Sequence, residues 1–118
     1  MDCVSSLNVL NLSLENTRKQ DFIEWLHHQP RKLSADKCEQ LEDLYIIHCL
    51  YPALDDDGKH RTYREIIKIR VTAERDDVVI LEIDCQPIAS ATKALLSFIA
   101  RSWPETKSAI AEFTKESE

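Results

Sequence analysis

Residues 66–85 read IIKIRVTAERDDVVILEIDC. Ile67, Ile69, Val71 and Ala73 alternate with Lys68, Arg70, Thr72 and Glu74. Beyond Arg75, Asp76 and Asp77, the residues Val79, Leu81, Ile83 and Cys85 alternate with Val78, Ile80, Glu82 and Asp84. Two period-two runs about a short polar break predict a β-hairpin over 62–74 and 77–85. Side-chain chemistry chooses its register. A two-residue loop sets Ile69 against Glu82 and Ile67 against Asp84, which mixes apolar and charged groups on both faces. A three-residue loop sets Val71 against Leu81, Ile69 against Ile83, Arg70 against Glu82 and Lys68 against Asp84. The second arrangement keeps one face apolar and pairs opposite charges, so it is the expected one, with an Asp in the left-handed position of the loop.

Working outward, Leu10, Leu12 and Leu14 alternate with Asn11 and Ser13, a strand signal over 7–14. Thr17 and Gln20 have capping-box spacing, and Phe22, Trp25 and Leu26 follow at helical spacing, which predicts a helix over 17–28 ended by Pro30. Ser34 and Asp36 suit the start of a second helix. Cys38, Leu41, Leu44, Tyr45, His48 and Tyr51 would form its stripe and Pro52 its end, with Leu44 in the core. Residues 53–61 read as a polar loop. Ser90 opens a third helix through Ala94, Leu95, Phe98, Ile99 and Trp103. Ser102 and Glu105 frame a second capping box before a last helix bearing Ala109, Ile110 and Phe113. The expected fold is a single α+β domain over 1–118. It has a small antiparallel sheet, made of the central hairpin and the N-terminal strand, flanked by four helices in the order β-α-α-β-β-α-α.

The chain has 118 residues, enough for one core, and 43% of them are hydrophobic, which suits a globular domain. Fifteen basic against 21 acidic residues give a net charge of −6. That balance disfavours a nucleic-acid backbone and favours basic protein partners. The start lacks a basic n-region and a long apolar run, and the end lacks a prenylation box, so the expected setting is cytoplasmic, with no membrane partner. The four cysteines, Cys3, Cys38, Cys49 and Cys85, are expected as reduced, mostly buried thiols. On one helix, Cys38 and Cys49 would stand roughly 16 Å apart, beyond disulfide reach.

Gly58 is the single glycine. A phosphate loop, a dinucleotide fingerprint and a nucleophile elbow each need more. Gly58 at position six of a calcium loop would put Ala53 at position one and Arg64 at position twelve, where the ligands should be, so Asp55, Asp56 and Asp57 read as an acidic turn. His27, His28, His48 and His60 lack metal-site spacing with one another and with the cysteines. A Cys85–His48 dyad has no feature lowering the thiol pKa, and a buried, inert Cys85 is the simpler reading.

Catalytic, cofactor and metal residues are therefore expected to be none. The reading that follows is a non-catalytic protein–protein interaction domain, of the adaptor, inhibitor, immunity or accessory-subunit kind. Its partner is another protein or a second copy, not nucleic acid, held on the hairpin's mixed face of Arg64, Ile66, Lys68, Arg70, Val78, Ile80, Glu82 and Asp84. One alternative is a metal-dependent hydrolase or nuclease using Glu82 and Asp84 with Lys68. Another is an acidic mimic of nucleic acid.

Overall fold

The computed structural model describes residues 8–87 and 89–115, and Cys3 lies outside them. The elements run β1 (Val9–Glu15), α1 (Lys19–His27), β2 (Ala35–Leu41), β3 (Leu44–Leu54), β4 (His60–Arg75), β5 (Val78–Asp84) and α2 (Ser90–Ser102). A 3-10 turn (Pro104–Thr106) and α3 (Lys107–Lys115) complete the chain. The strands form one antiparallel five-stranded sheet in the order β1-β5-β4-β3-β2.

This corrects the expected fold: residues 35–54 are a β-hairpin, not a helix, so the sheet is larger and, among the described residues, three α-helices flank it rather than four. The physical reason lies in Leu44–Leu50. Tyr45, Ile47 and Cys49 are buried against the helices, while Leu44, Ile46, His48 and Leu50 stand half-buried on the opposite face. A strand apolar on both faces shows no alternation, and such a run resembles a buried helix. The turn signal was hidden as well. Glu42 takes the left-handed conformation (φ 56°) at the first central position of the Glu42–Asp43 turn, where glycine is usual. Ser34, expected to cap a helix, also has a positive φ of 58° and lies in a turn.

The β4–β5 pairing has the register deduced from chemistry. Val71 pairs with Leu81, Ile69 with Ile83, Arg70 with Glu82 and Lys68 with Asp84. The offset arises differently, from an irregularity between Ala73 and Arg75 followed by a turn at Asp76 and Asp77. Leu10, Leu12 and Leu14 on β1 are buried, and β1 completes the sheet beside β5.

All three helices cover one face. Phe22 and Leu26 of α1, Leu95, Leu96 and Ile99 of α2, and Ile110 and Phe113 of α3 join Ile47, Ile67, Ile69, Val71, Leu81 and Ile83 in one core. The rings of Phe22, Trp25 and Trp103 lie 5.0–5.5 Å apart and tie α1 to the end of α2. None of the expected local caps forms. The Thr17 hydroxyl donates to the Glu15 carbonyl and accepts from Trp103 Nε1, and Arg18 takes the N-cap position of α1 without a side-chain cap. Ser90 is the first residue of α2 rather than its cap, and Trp103 precedes the 3-10 turn.

Candidate functional site

Among the described residues, no helix lies on the sheet's second face. Its side chains form rows across the strands, set by the register. One row runs Lys37, His48, Ile66. The next runs Glu39, Ile46, Lys68, Asp84, Val9, and the third Leu41, Leu44, Arg70, Glu82, Asn11. Thr72, Ile80 and Ser13 follow. Apolar side chains thus alternate with charges over the whole width. Leu41 is 59% and Ile66 44% exposed, while Leu44, Ile46, Leu50 and Ile80 are half-buried. Leu44, expected in the core, belongs to this face.

At its middle, Val9, Leu44, Lys68, Arg70, Glu82 and Asp84 line a shallow concavity of about 320 Å³. Arg70 Nε lies 3.6 Å from Glu82 Oε1. Arg64 donates to Asp36 at 3.2 Å. Toward β2, His48 Nε2 is 2.7 Å and Lys37 Nζ 3.7 Å from Glu39 Oε2. The His48 hydrogen bond, and then the Lys37 charge, hold the Glu39 carboxyl below its usual range. Of the eight residues read from sequence, the structure brings Lys68, Arg70, Glu82 and Asp84 into one concavity, with Ile66, Arg64 and Ile80 on the same face. Val78 is buried at the start of β5, only 3% exposed. The contribution of β2 and β3, namely Lys37, Glu39, Leu41, Leu44, Ile46 and His48, was missed because these residues were assigned to a helix.

The sheet edges are blunted. The outer edge of β2 bears Asp36, Lys37 and Glu39 and an irregularity between Ala35 and Lys37, features that discourage strand addition. On β1, the Glu15 amide donates to the Glu105 carboxylate at 3.3 Å. The face therefore offers more to a partner than the edges do.

As chemistry, the concavity is modest. Glu82 is engaged by Arg70, and no group of three His, Cys, Asp or Glu side chains suited to a metal ion occurs among the described residues. Cys85 does not approach thiolate chemistry, since burial pushes its pKa up to about 12. The Asp55 carboxylate accepts from the amides of Asp57 and Lys59 at 2.9 Å and pairs with Arg61, so the acidic run is a self-bonded turn about Gly58 (φ 78°). Among the described residues no helix is long and apolar enough to cross a membrane.

No protein-family model matches the chain, and no curated protein matches it. Among solved structures it is similar to the di-domain ARO/CYC StfQ from the steffimycin biosynthetic pathway, at 11% identity and a TM-score of 0.29. The match covers 96% of this chain and 52% of that one, so this chain spans about half of that protein's length.

Proposed function

We propose that the chain is a non-catalytic protein-interaction domain whose open sheet face receives a second copy of itself. The observation that carries this reading is the face left uncovered by the described residues, a full five strands wide, with apolar side chains set among charges of both signs. Interfaces combine an apolar centre with a polar rim in this manner. The charges favour a second copy. Arg64, Lys68 and Arg70 lie along β4, and Glu82 and Asp84 along the adjacent β5. A twofold axis between these strands sets the basic stripe of one copy over the acidic stripe of the other. The face as a whole carries Lys37, Arg64, Lys68 and Arg70 against Glu39, Glu82 and Asp84, nearly neutral in a molecule of net charge −6. Self-repulsion is therefore weakest here. The same balance argues against mimicry of nucleic acid on this surface.

A standard interface needs about 800 Å² per partner, about a tenth of the 7651 Å² surface. Sedimentation equilibrium tests the reading. The wild-type chain should be dimeric at micromolar concentration, and Ile66→Asp should return it to a folded monomer. A wild-type monomer throughout, or an Ile66→Asp dimer of unchanged affinity, contradicts it.

A further inference from the structure

The two outer edges of the sheet are blunted, but unequal strand lengths leave a third edge inside it. β5 ends at Asp84, opposite Lys68, while β4 reaches back to His60 with β3 still beside it. The pairing of β3 with β4 shows which backbone groups this exposes. The Val71 amide donates to the Asp43 carbonyl at one end of the pair and the Asp55 amide to the Lys59 carbonyl at the other, with no register shift between them. In antiparallel sheets, residues that bond to one neighbouring strand alternate with residues that bond to the other. The odd-numbered residues of β4 therefore bond to β3. Thr62, Arg64 and Ile66 turn their N–H and C=O groups the other way, where β5 no longer runs. Among the described residues no backbone group pairs with them there, and all three are exposed.

A cavity of about 410 Å³ lies along this edge. Arg64, Glu65 and Ile66 line it together although their side chains alternate between the two faces, so it follows the edge of β4 and belongs to neither face. Gln86, Ala89 and Ser90 add to its lining. Glu65 fixes the start of α2 beside the edge, since its Oε1 accepts the Ala91 amide at 2.9 Å. Free backbone groups with a bounded space beside them are what recognition by an added strand uses. The ladder itself says which side chains fit. On β4, Lys68 faces Asp84 and Arg70 faces Glu82. An acidic residue therefore suits the place opposite Arg64, and an apolar one the place opposite Ile66. The Arg64 guanidinium gives one N–H to Asp36 at 3.2 Å and keeps others for a second carboxylate. A second copy suits this edge poorly. Antiparallel pairing about Arg64 opposes two guanidiniums, and Gln86 with the start of α2 lines the space that a second sheet would have to enter.

We infer that this edge takes an extended segment of another protein, running antiparallel to β4, with an apolar residue opposite Ile66 and an acidic residue opposite Arg64. The residue between them, opposite Glu65, points to the α2 side of the sheet and is small. This binding is separate from self-association through the open face. The experiment is an NMR titration of the intact wild-type chain, at constant protein concentration, with the acetylated and amidated peptide isoleucine-alanine-aspartate-alanine-valine. Saturable shifts should centre on the Thr62, Arg64 and Ile66 amides. Three altered peptides then read the mode of binding. N-methylating the aspartate removes an N–H that points at β4 and should weaken binding at least about tenfold. N-methylating the first alanine, whose N–H points away from β4, should change affinity by less than about twofold. Replacing the aspartate with lysine should again weaken binding at least about tenfold. In the free chain, hydrogen exchange at the Thr62, Arg64 and Ile66 amides should outpace exchange at Tyr63 and Glu65, which bond to β3. Several outcomes overturn the inference. They are no saturable shift, undiminished binding of the N-methyl-aspartate or the lysine peptide, and slow exchange at Thr62, Arg64 and Ile66, which would show the edge already paired. Shifts at these amides that follow protein concentration alone would give the edge to a second copy and overturn it too.

Discussion

Cys38, Cys49 and Cys85 are free thiols, but not for the reason that helical spacing supplied. Cys38 and Cys49 lie on neighbouring strands, where Cys38 pairs with Ile47 and Cys49 with Ala35, two registers apart. Cys49 is buried, and desolvation, helped by the nearby Glu65 carboxylate, raises its pKa to about 11. Cys85 is buried beside Thr92, and its thiol is raised to about 12. Cys38 is exposed on the outer strand, with its pKa raised by partial burial alone. Thiolate is the reactive form, so at neutral pH access decides the order of reaction. A thiol reagent applied to the native chain should modify Cys38 and spare Cys49 and Cys85 until the fold is unfolded. Subtracting the rate trace of Cys38→Ser from that of the wild type isolates the Cys38 phase. Rapid native labelling of Cys49, read by mass spectrometry, would contradict its place in the core.

At the scale of elements, the β2–β3 hairpin is the departure from sequence expectation, and one substitution separates the two readings by sign. Glu42 holds a φ of 56° at the turn. A side chain there costs roughly 1–2 kcal/mol, which glycine removes. Glycine gives back part of that gain through the flexibility of the unfolded chain, so Glu42→Gly should stabilise the protein by about 0.5–1 kcal/mol. In a helix over 34–51 the same change would destabilise by about 1 kcal/mol. Urea denaturation measures which sign holds.

The β4–β5 pairing was legible because Arg70 and Glu82, like Lys68 and Asp84, can face one another in only one register that also keeps Ile69 and Val71 among apolar partners. Leu44–Leu50 was not legible because burial on one face and partial cover on the other erase the period. Half of the candidate face was hidden with it. The helix starts misled through chemistry supplied from a distance: Glu65 caps α2 from β4, and Thr17 turns to Trp103 instead of capping α1. Glu65 did leave a trace, a charged residue in step with Ile67, Ile69 and Val71. Extending the alternation by one register would have found it.

For the whole molecule, the decisive feature is asymmetry. Three helices bury one side of the sheet, and the other side keeps Leu44, Ile46, Ile66 and Ile80 beside Lys68, Arg70, Glu82 and Asp84 without cover from the described residues. Ile80 lies on this face, paired with Thr72 and Ser13. An aspartate there reaches water in the monomer, so Ile80→Asp should change stability by less than about 1 kcal/mol, a shift of a few degrees in the melting temperature. In a dimer the same carboxylate is trapped against apolar groups without a partner, which association does not tolerate. The most direct measurement is therefore light scattering of Ile80→Asp and wild type at equal concentration, beside their thermal melts. The open-face account predicts a wild-type dimer and an Ile80→Asp monomer that melts within a few degrees of the dissociated wild type. A variant that unfolds would show the face to be covered by the chain's own structure, and a variant that stays dimeric would show that copies meet elsewhere; either result contradicts the account.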